Sequence, residues 1–363
     1  MCKKIFIGAT GQHCGKTTIS LSLMHLARKK YERVGFMKPL GPKCTEFNGM
    51  IVDKDAAMFA SVFGAEENVA LMSPVTLSPV TTRSFLDGEI DPDVPRRAMH
   101  DACAELEKKY DFLIIEGAGH SGVGSVVGMN NARIAAELNA PVLLVTGGGI
   151  GNVIDAVELN LALYQREKAD VRIIMANKLV AEKRDNTLGY LQKAFAGCGK
   201  MVTSAFDYLP TLAAPTLLHV SELLGQSLHG SPTERRRQCH TIQLGAASSQ
   251  IVIDHLEAST LLIVTSSRDE LLVTASSLHH IPEFKARLAG LIIAGFTPVS
   301  NITQQILDDS NIPYIRIRET SSELFYRLRE HVSKIGPEDL EKIHLINSIA
   351  ENFIDFDAID AIL

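Results

Sequence analysis

The sequence predicts an α/β protein: a doubly wound, mostly parallel sheet followed by a smaller α/β domain. Three observations carry this expectation. From residue 4 to residue 208, short β-branched runs alternate with helical apolar patterns, as in a parallel sheet covered by helices. A glycine-bearing loop separates the first run from the first helical pattern. The alternation then pauses at Pro210 and Pro215 and resumes after a polar segment at residues 230–237.

Taken in order, the expected strands are residues 4–7, 33–38, 112–116, 142–146, 172–177 and 201–208. A helix over residues 18–30 follows the first loop, with Ile19, Leu23, Leu26 and Ala27 at helical spacing, and residues 132–138 and 153–163 repeat that pattern. A helical stretch at 220–228 leads into the polar segment. Shorter strands are then expected at 241–244, 261–265, 291–294 and 314–317, with no phosphate-type glycine pattern between them. Residues 337–363 read as one or two helices. The expected organisation is a first domain over residues 1–215, a second over 216–330 and a helical extension over 331–363.

A chain of 363 residues is long enough for two domains. Trp is absent and aromatics are only 6%, so the core must come from Leu, Ile, Val, Ala and Met, which suits a sheet buried on both faces. The formal net charge of −6 offers no basic footprint for nucleic acid and no polybasic membrane patch. Arg235-Arg236-Arg237 is too short a run to alter that and reads as a solvated linker. Six cysteines without a C-x-x-C pair read as reduced thiols of a cytoplasmic protein. No apolar run reaches the roughly 18 to 20 residues of a membrane span. Residues 5–7 pass straight into the glycine loop, as a strand does and a signal peptide does not.

The chemistry concentrates in Thr10-Gly11-Gln12-His13-Cys14-Gly15-Lys16-Thr17-Thr18. A phosphate needs unobstructed backbone N–H donors, a helix N-terminus, a cation and a hydroxyl for magnesium. Gly11 and Gly15 permit the close approach, Lys16 supplies the charge and Thr17 the hydroxyl. The usual G-x-x-x-x-G-K-[ST] begins with glycine, whereas Thr10 stands there in this chain, between Gly8 and Gly11. The strand before and the helix after support a nucleotide loop at residues 11–18, with ATP and Mg2+ as the expected cofactors.

Other candidates sit at the carboxyl ends of expected strands, where ligands of such sheets bind. Glu116 ends one of them ahead of Gly117-Ala118-Gly119, as a magnesium ligand or water-positioning group would, although a helix-capping carboxylate would look the same. Asp53 and Asp55 are further acidic candidates that could equally be helix N-caps. Lys38 ends the second strand, where it could meet phosphate or an acidic small molecule, or simply solvent. Asn177 could hydrogen-bond the edge of adenine or serve as a turn residue. Gly147-Gly148-Gly149-Ile150-Gly151 reads as a strand-to-helix turn, not a dinucleotide fingerprint. The histidines, His279-His280 included, show no metal-ligand spacing, and no G-x-S-x-G elbow is present.

Together, Gly11-Gln12-His13-Cys14-Gly15-Lys16-Thr17, Lys38-Pro39, Asp55-Ala56, Glu116-Gly117-Ala118-Gly119 and Ala176-Asn177-Lys178 resemble dethiobiotin synthetase. The likeness is closer to the dethiobiotin-synthetase-like N-terminal region of long-form phosphate acetyltransferases, carried by Gly122-Val123-Gly124-Ser125, Asn131-Ala132-Arg133-Ile134-Ala135, Gly148-Gly149-Ile150-Gly151 and Leu212-Ala213-Ala214-Pro215-Thr216. The second half resembles the DRTGG domain that follows there, through Ser267-Arg268-Asp269, Leu291-Ile292-Ile293-Ala294-Gly295, Asn311-Ile312-Pro313 and Glu319-Thr320, although the naming sequence itself is not kept.

The resemblance implies a P-loop NTPase fold in which Gly11, Gln12, His13, Cys14, Gly15, Lys16, Thr17 and Thr18 wrap the phosphates. It implies that Lys16 holds the β- and γ-phosphates, that Thr17, Asp55 and Glu116 hold magnesium, that Lys38 faces a substrate carboxylate or phosphate, and that Asn177 reads adenine. Lys16, Lys38 and Glu116 would be the catalytic set. The family's acidic phosphate-loop residue is replaced by His13, the loop after Glu116 follows the acetyltransferase-associated version, and the chain ends where an acetyltransferase domain would begin. Acetyl transfer is therefore not expected.

The leading expectation is a regulatory or scaffolding ATP-binding protein, cytoplasmic and homo-oligomeric through its second domain, with no nucleic-acid or membrane partner. The alternative is an ATP-dependent ligase of the dethiobiotin synthetase or cobyrinic acid a,c-diamide synthase type. A partitioning-type ATPase ranks last, because Gly11 and Gln12 occupy the region where those proteins carry an extra lysine.

Overall fold

The computed structural model describes residues 2–330, 335–337 and 339–363. The chain divides into two compact units: Met1–Leu209 with Ile335–Leu363, and Pro210–Lys334.

The first unit is built on six parallel strands: β1 Lys3–Ala9, β2 Val34–Met37, β5 Phe112–Glu116, β6 Val142–Gly147, β7 Val171–Asn177 and β8 Met201–Ser204. They lie in the order β2-β5-β1-β6-β7-β8. Every residue of β5 is buried, and β1 is buried from Ile5 onward, which is why these segments read as unbroken apolar runs and not as alternating ones. Helices cover both faces, α1 Lys16–Ala27, α2 Lys54–Phe63 and helix Ile150–Arg166 among them. The chain leaves β1 toward β2 and later returns across β1 to β6, so the carboxyl ends of β1 and β5 flank the point where the winding reverses.

The expected fold class is the one observed. A short hairpin, β3 Cys44–Phe47 and β4 Met50–Asp53, turns at Asn48-Gly49 before α2. It lacks a clear apolar pattern, since most of its side chains are exposed or half-buried, and so it left no signal in the sequence. α1 buries Ile19, Leu23 and Leu26 together with Ser20, Leu21 and Ser22. Such all-round burial requires cover on both sides, and helix Leu340–Phe353 supplies the second cover by packing along α1. Lys29 pairs with Glu351 at 2.5 Å, Lys30 with Asp357 at 2.6 Å and Lys3 with Asp360 at 2.9 Å. The helices expected at the C-terminus are thus part of the first unit. Residues 331–334 and 338 of the expected extension lie outside the described residues.

The second unit has strands β10 Thr241–Leu244, β11 Thr260–Thr265, β12 Leu288–Ala294 and β13 Tyr314–Ile317, parallel and in chain order, with β9 Leu228–His229 antiparallel at the β13 edge. At two residues, β9 is too short to carry a periodicity. All seven residues of β12 are buried, between one apolar cluster around Leu262, Leu271 and Leu307 and another around Leu217, Ile292 and Leu324. Among the described residues, no helix is long and apolar enough to cross a membrane, and all six cysteines are free thiols.

Candidate functional site

The loop after β1 bends through two left-handed residues, His13 at φ 59° and Gly15 at φ 97°. Gly15 is required twice over: the torsion favours glycine, and a Cβ there would stand 2.3 Å from Asn177 Nδ2. α1 begins at Lys16 with no side-chain cap on its first turn, so its N-terminal N–H groups point into the loop as an anion cradle does. The Lys16 ammonium donates to the carbonyls of Gly119 at 2.8 Å and Gly11 at 3.4 Å. It therefore spans the phosphate loop and the loop after β5.

Next to this loop lies a buried charge cluster. β2 and β5 are paired with Met37 opposite Ile115, so the residues that follow, Lys38 and Glu116, emerge side by side. Lys38 Nζ donates to Glu116 Oε1 at 2.8 Å, to Asp55 Oδ2 at 2.9 Å and to the Gly117 carbonyl at 3.2 Å. The three side chains are 3%, 1% and 5% exposed, which removes the solvent-exposed alternative for Lys38. Burial works against the ammonium, but Asp55 and Glu116, with Asp53, outweigh it and hold the Lys38 pKa above the ordinary lysine range. The structure also separates the two aspartates. Asp53 is the N-cap of α2 and accepts from the Asp55 N–H at 2.8 Å, while Asp55, in the first turn, faces Lys38.

Thr17 Oγ1 donates to Glu116 Oε1 at 3.4 Å, and Glu116 Oε2 is buried without a hydrogen-bond partner. One hydroxyl, two carboxylates and an orphaned carboxylate oxygen form a hard-oxygen donor set that fits Mg2+. No group of three or more His, Cys, Asp or Glu residues able to hold a metal occurs among the described residues.

Asn177 ends β7 and ties the phosphate loop down. Its Nδ2 donates to the Cys14 carbonyl at 2.9 Å and its Oδ1 accepts from the Phe206 N–H at 3.2 Å. An amide has two hydrogens and two lone pairs, and these two bonds use one of each. Lys178, in the left-handed region at φ 57°, lies alongside, and burial lowers its pKa.

Two asparagines with no role assigned from sequence complete the scaffold. Asn160 donates to the Thr10 carbonyl at 3.1 Å and accepts from the Ser121 N–H at 3.0 Å, linking the phosphate loop to the loop after β5. Asn131 accepts from the Ala118 N–H at 3.0 Å and donates to the carbonyls of Ala118 and His120 at 2.5 Å each. Asn160 did leave a trace: it is a polar residue on the buried stripe of Val153, Val157, Leu161 and Tyr164. The turn at Gly148, φ 120°, delivers that helix.

In the second unit, Arg268 donates to the carbonyls of Gly245 at 2.9 Å and Ala247 at 2.7 Å, and Asp269 accepts from Thr303 at 2.8 Å. These residues of the DRTGG resemblance bind the protein's own loops together.

With this geometry in hand, comparison with known proteins is informative. A family model described as an AAA domain matches residues 3–216, and one described as a DRTGG domain matches residues 220–330. A phosphate acetyltransferase of Nitratidesulfovibrio vulgaris is 22% identical over 366 residues, covering 98% of this chain and 51% of that protein. An ATP-dependent dethiobiotin synthetase of Thermodesulfovibrio yellowstonii is 25% identical over 195 residues, covering 50% of this chain and 78% of that protein. A cobyric acid synthase of Pelotomaculum thermopropionicum is 27% identical, covering 59% of this chain and 45% of that protein. The chain thus spans about half the length of the phosphate acetyltransferase it matches. It belongs to the AAA-domain family of dethiobiotin-synthetase-like P-loop proteins, here followed by a DRTGG domain.

Proposed function

We propose that the first unit binds ATP with Mg2+ and acts as a nucleotide-responsive regulatory or scaffolding element, with slow turnover. The observation that carries this reading is the buried Lys38–Asp55–Glu116 cluster set beside the Lys16–Thr17 loop. In it, Lys16 would hold the β- and γ-phosphates, exchanging its carbonyl partners on Gly119 and Gly11 for phosphate oxygens. Gly11, Gln12, His13, Cys14, Gly15, Thr17 and Thr18 would supply the surrounding N–H and hydroxyl donors. Thr17, Asp55 and Glu116 would hold the metal. When bound, that ion would neutralise charge on the terminal phosphates. Lys38 bridges both carboxylates, and Asn177 would hold the loop in register while offering the free half of its amide to adenine.

Slow turnover is supported by His13, which replaces the acidic loop residue of the resembling enzymes, and by the tightly paired resting state of Lys38. The second unit would supply homo-oligomerisation. A second reading, an ATP-dependent ligase acting on a small carboxylic acid or carbamate, is favoured by Lys38, which could turn from Asp55 toward a substrate carboxylate.

Calorimetric titration with MgATP, MgADP and MgGTP on the native chain and on Lys16→Ala tests the proposal. The expected outcome is MgATP binding weakened at least about 100-fold in the variant. Equal binding by both proteins would remove the nucleotide reading. Rapid ATP turnover stimulated by a small carboxylic acid would instead establish the ligase.

A further inference from the structure

We infer that the helix Pro79–Leu86 of the first unit is a contact surface for a second copy of this chain, met antiparallel about a two-fold axis. Ser78 caps this helix by accepting from the Thr81 N–H at 3.1 Å, and Gly88, at φ 75°, turns the chain away after Asp87. Its eight residues are fewer than the roughly 12 to 15 that a helix needs to hold by itself in water. Packing must complete it, yet none of its side chains is fully buried. Phe85 rests partly buried against the core, whereas Val80, Arg83, Leu86 and Asp87 are all exposed. Asp87 keeps helical torsions, so a spacing of three to four residues puts these four on one face. Val80 is 72% and Leu86 68% exposed. The turn Ser125–Val127, which packs against this helix, adds Val126 at 41%. Aliphatic surface gathered on neighbouring elements marks a docking face and not scattered exposure.

The charges name the occupant. Arg83 and Asp87 stand one turn apart and make no ion pair among the described residues. Within one helix their order is the weaker one, cation first. The Asp87 carboxylate also sits at the negative end of the helix dipole with no cation paired to it. An antiparallel copy reverses the order. A two-fold axis passing the helix at the level of Phe85 sets Arg83 of each copy against Asp87 of the other. It brings Leu86 close to its own counterpart and leaves Val80 at the rim. Two ion pairs around an aliphatic centre satisfy both copies at once, as an isologous contact requires. The face is complementary to itself.

Position gives the contact its consequence. The turn Ser125–Val127 belongs to the loop after β5. In that loop the Gly119 carbonyl accepts from Lys16 at 2.8 Å, and the Ser121 N–H donates to Asn160 at 3.0 Å. A phosphate that draws Lys16 away releases Gly119, so nucleotide and second copy act on one loop, and their coupling must be reciprocal. This second step rests on the proposed nucleotide reading. The contact itself does not, and it is separate from the oligomerisation proposed for the second unit.

Sedimentation equilibrium of the full chain without nucleotide tests the contact. Two short helices bury less than about 1,200 Å², the range of weak, reversible association, so the mass should double between about 1 and 100 μM. Leu86→Asp, Arg83→Asp and Asp87→Arg should each weaken that doubling at least about tenfold, with the circular dichroism spectrum unchanged. An equimolar mixture of Arg83→Asp and Asp87→Arg should restore it, because every charge then meets its opposite; a helix merely disturbed by substitution would not be rescued. No doubling of the native chain, doubling indifferent to Leu86→Asp, or a mixture no better than its parts overturns the contact and leaves the face to the second unit of the same chain or to another protein. Saturating MgATP should shift the dissociation constant of the doubling by about fivefold or more. An unshifted constant overturns the coupling alone. A chain that doubles but binds no MgATP refutes the nucleotide reading and leaves the contact standing.

Discussion

At the carboxyl edge of the first sheet, the buried cation Lys38 is held chiefly by two carboxylates, Asp55 and Glu116. At the same edge of the second sheet, Arg316 donates to the carbonyls of Ile293, Gly295, Thr297 and Ile317, and Arg268 to those of Gly245 and Ala247. Both units follow the same parallel α/β plan, but their cations have been put to different uses. A backbone carbonyl is fixed by the fold, so a guanidinium that satisfies several of them stitches strand-end loops together. A carboxylate can exchange an ammonium for a metal, and the ammonium can turn to a ligand. One edge carries exchangeable ion pairs, and the other is closed by its own backbone.

The largest test of this contrast is Lys38→Met. It leaves Asp55 and Glu116 buried without their counter-charge and should cost about 3–5 kcal/mol of stability in denaturant titration. The pH dependence has a definite sign. The folded-state pKa of Lys38 is raised above 10.5, so its contribution is fully present below that value and is lost as pH climbs through the folded value. The gap between native and variant should stay flat through neutral pH and narrow only in strong alkali. A gap that closes near neutrality breaks the comparison.

Arg316→Met comes next. Stranding several carbonyls should destabilise the second unit by about 2–3 kcal/mol while leaving MgATP affinity where it was. A variant that keeps its stability but loses nucleotide would show that the second edge is not merely closed.

The smallest effect concerns how the first unit is completed. Burial would raise the Asp360 pKa, but hydrogen bonds from Lys3, Tyr31 and Lys30 outweigh it and bring it down from 3.8 to about 2. Asp360→Asn should therefore cost about 2 kcal/mol at neutral pH. That contribution is present above pH 3.8 and fades as pH falls through about 2. Undiminished stability in the variant would mean that the C-terminal helices are not what closes the face of α1.

Much of the fold was legible because its signals are local. Strands β1, β5, β6 and β7 are buried on both faces and read as short apolar runs. The loop after β1 is written in contiguous residues, and glycine suits both Gly15's torsion and its close contact with Asn177. The second-unit strands were found for the same reason, whereas the β3–β4 hairpin and β9 are too exposed or too short to leave a pattern.

What the sequence determined by itself was therefore the doubly wound class, the Lys16–Thr17 loop and the set of charged residues ending strands. Tertiary structure alone decided how those charges meet. The β2–β5 register sets Lys38 against Glu116, across 78 residues of chain, and burial turns that neighbourhood into a coupled cluster. Asp53 and Asp55 are indistinguishable as letters; the hairpin before α2 makes one a cap and aims the other at Lys38. Asn160 reaches Thr10 over a separation of 150 residues, and the final helices return to cover α1. Each is a long-range contact, and the free energy of such a contact depends on what lies beside it in space, which no local pattern records.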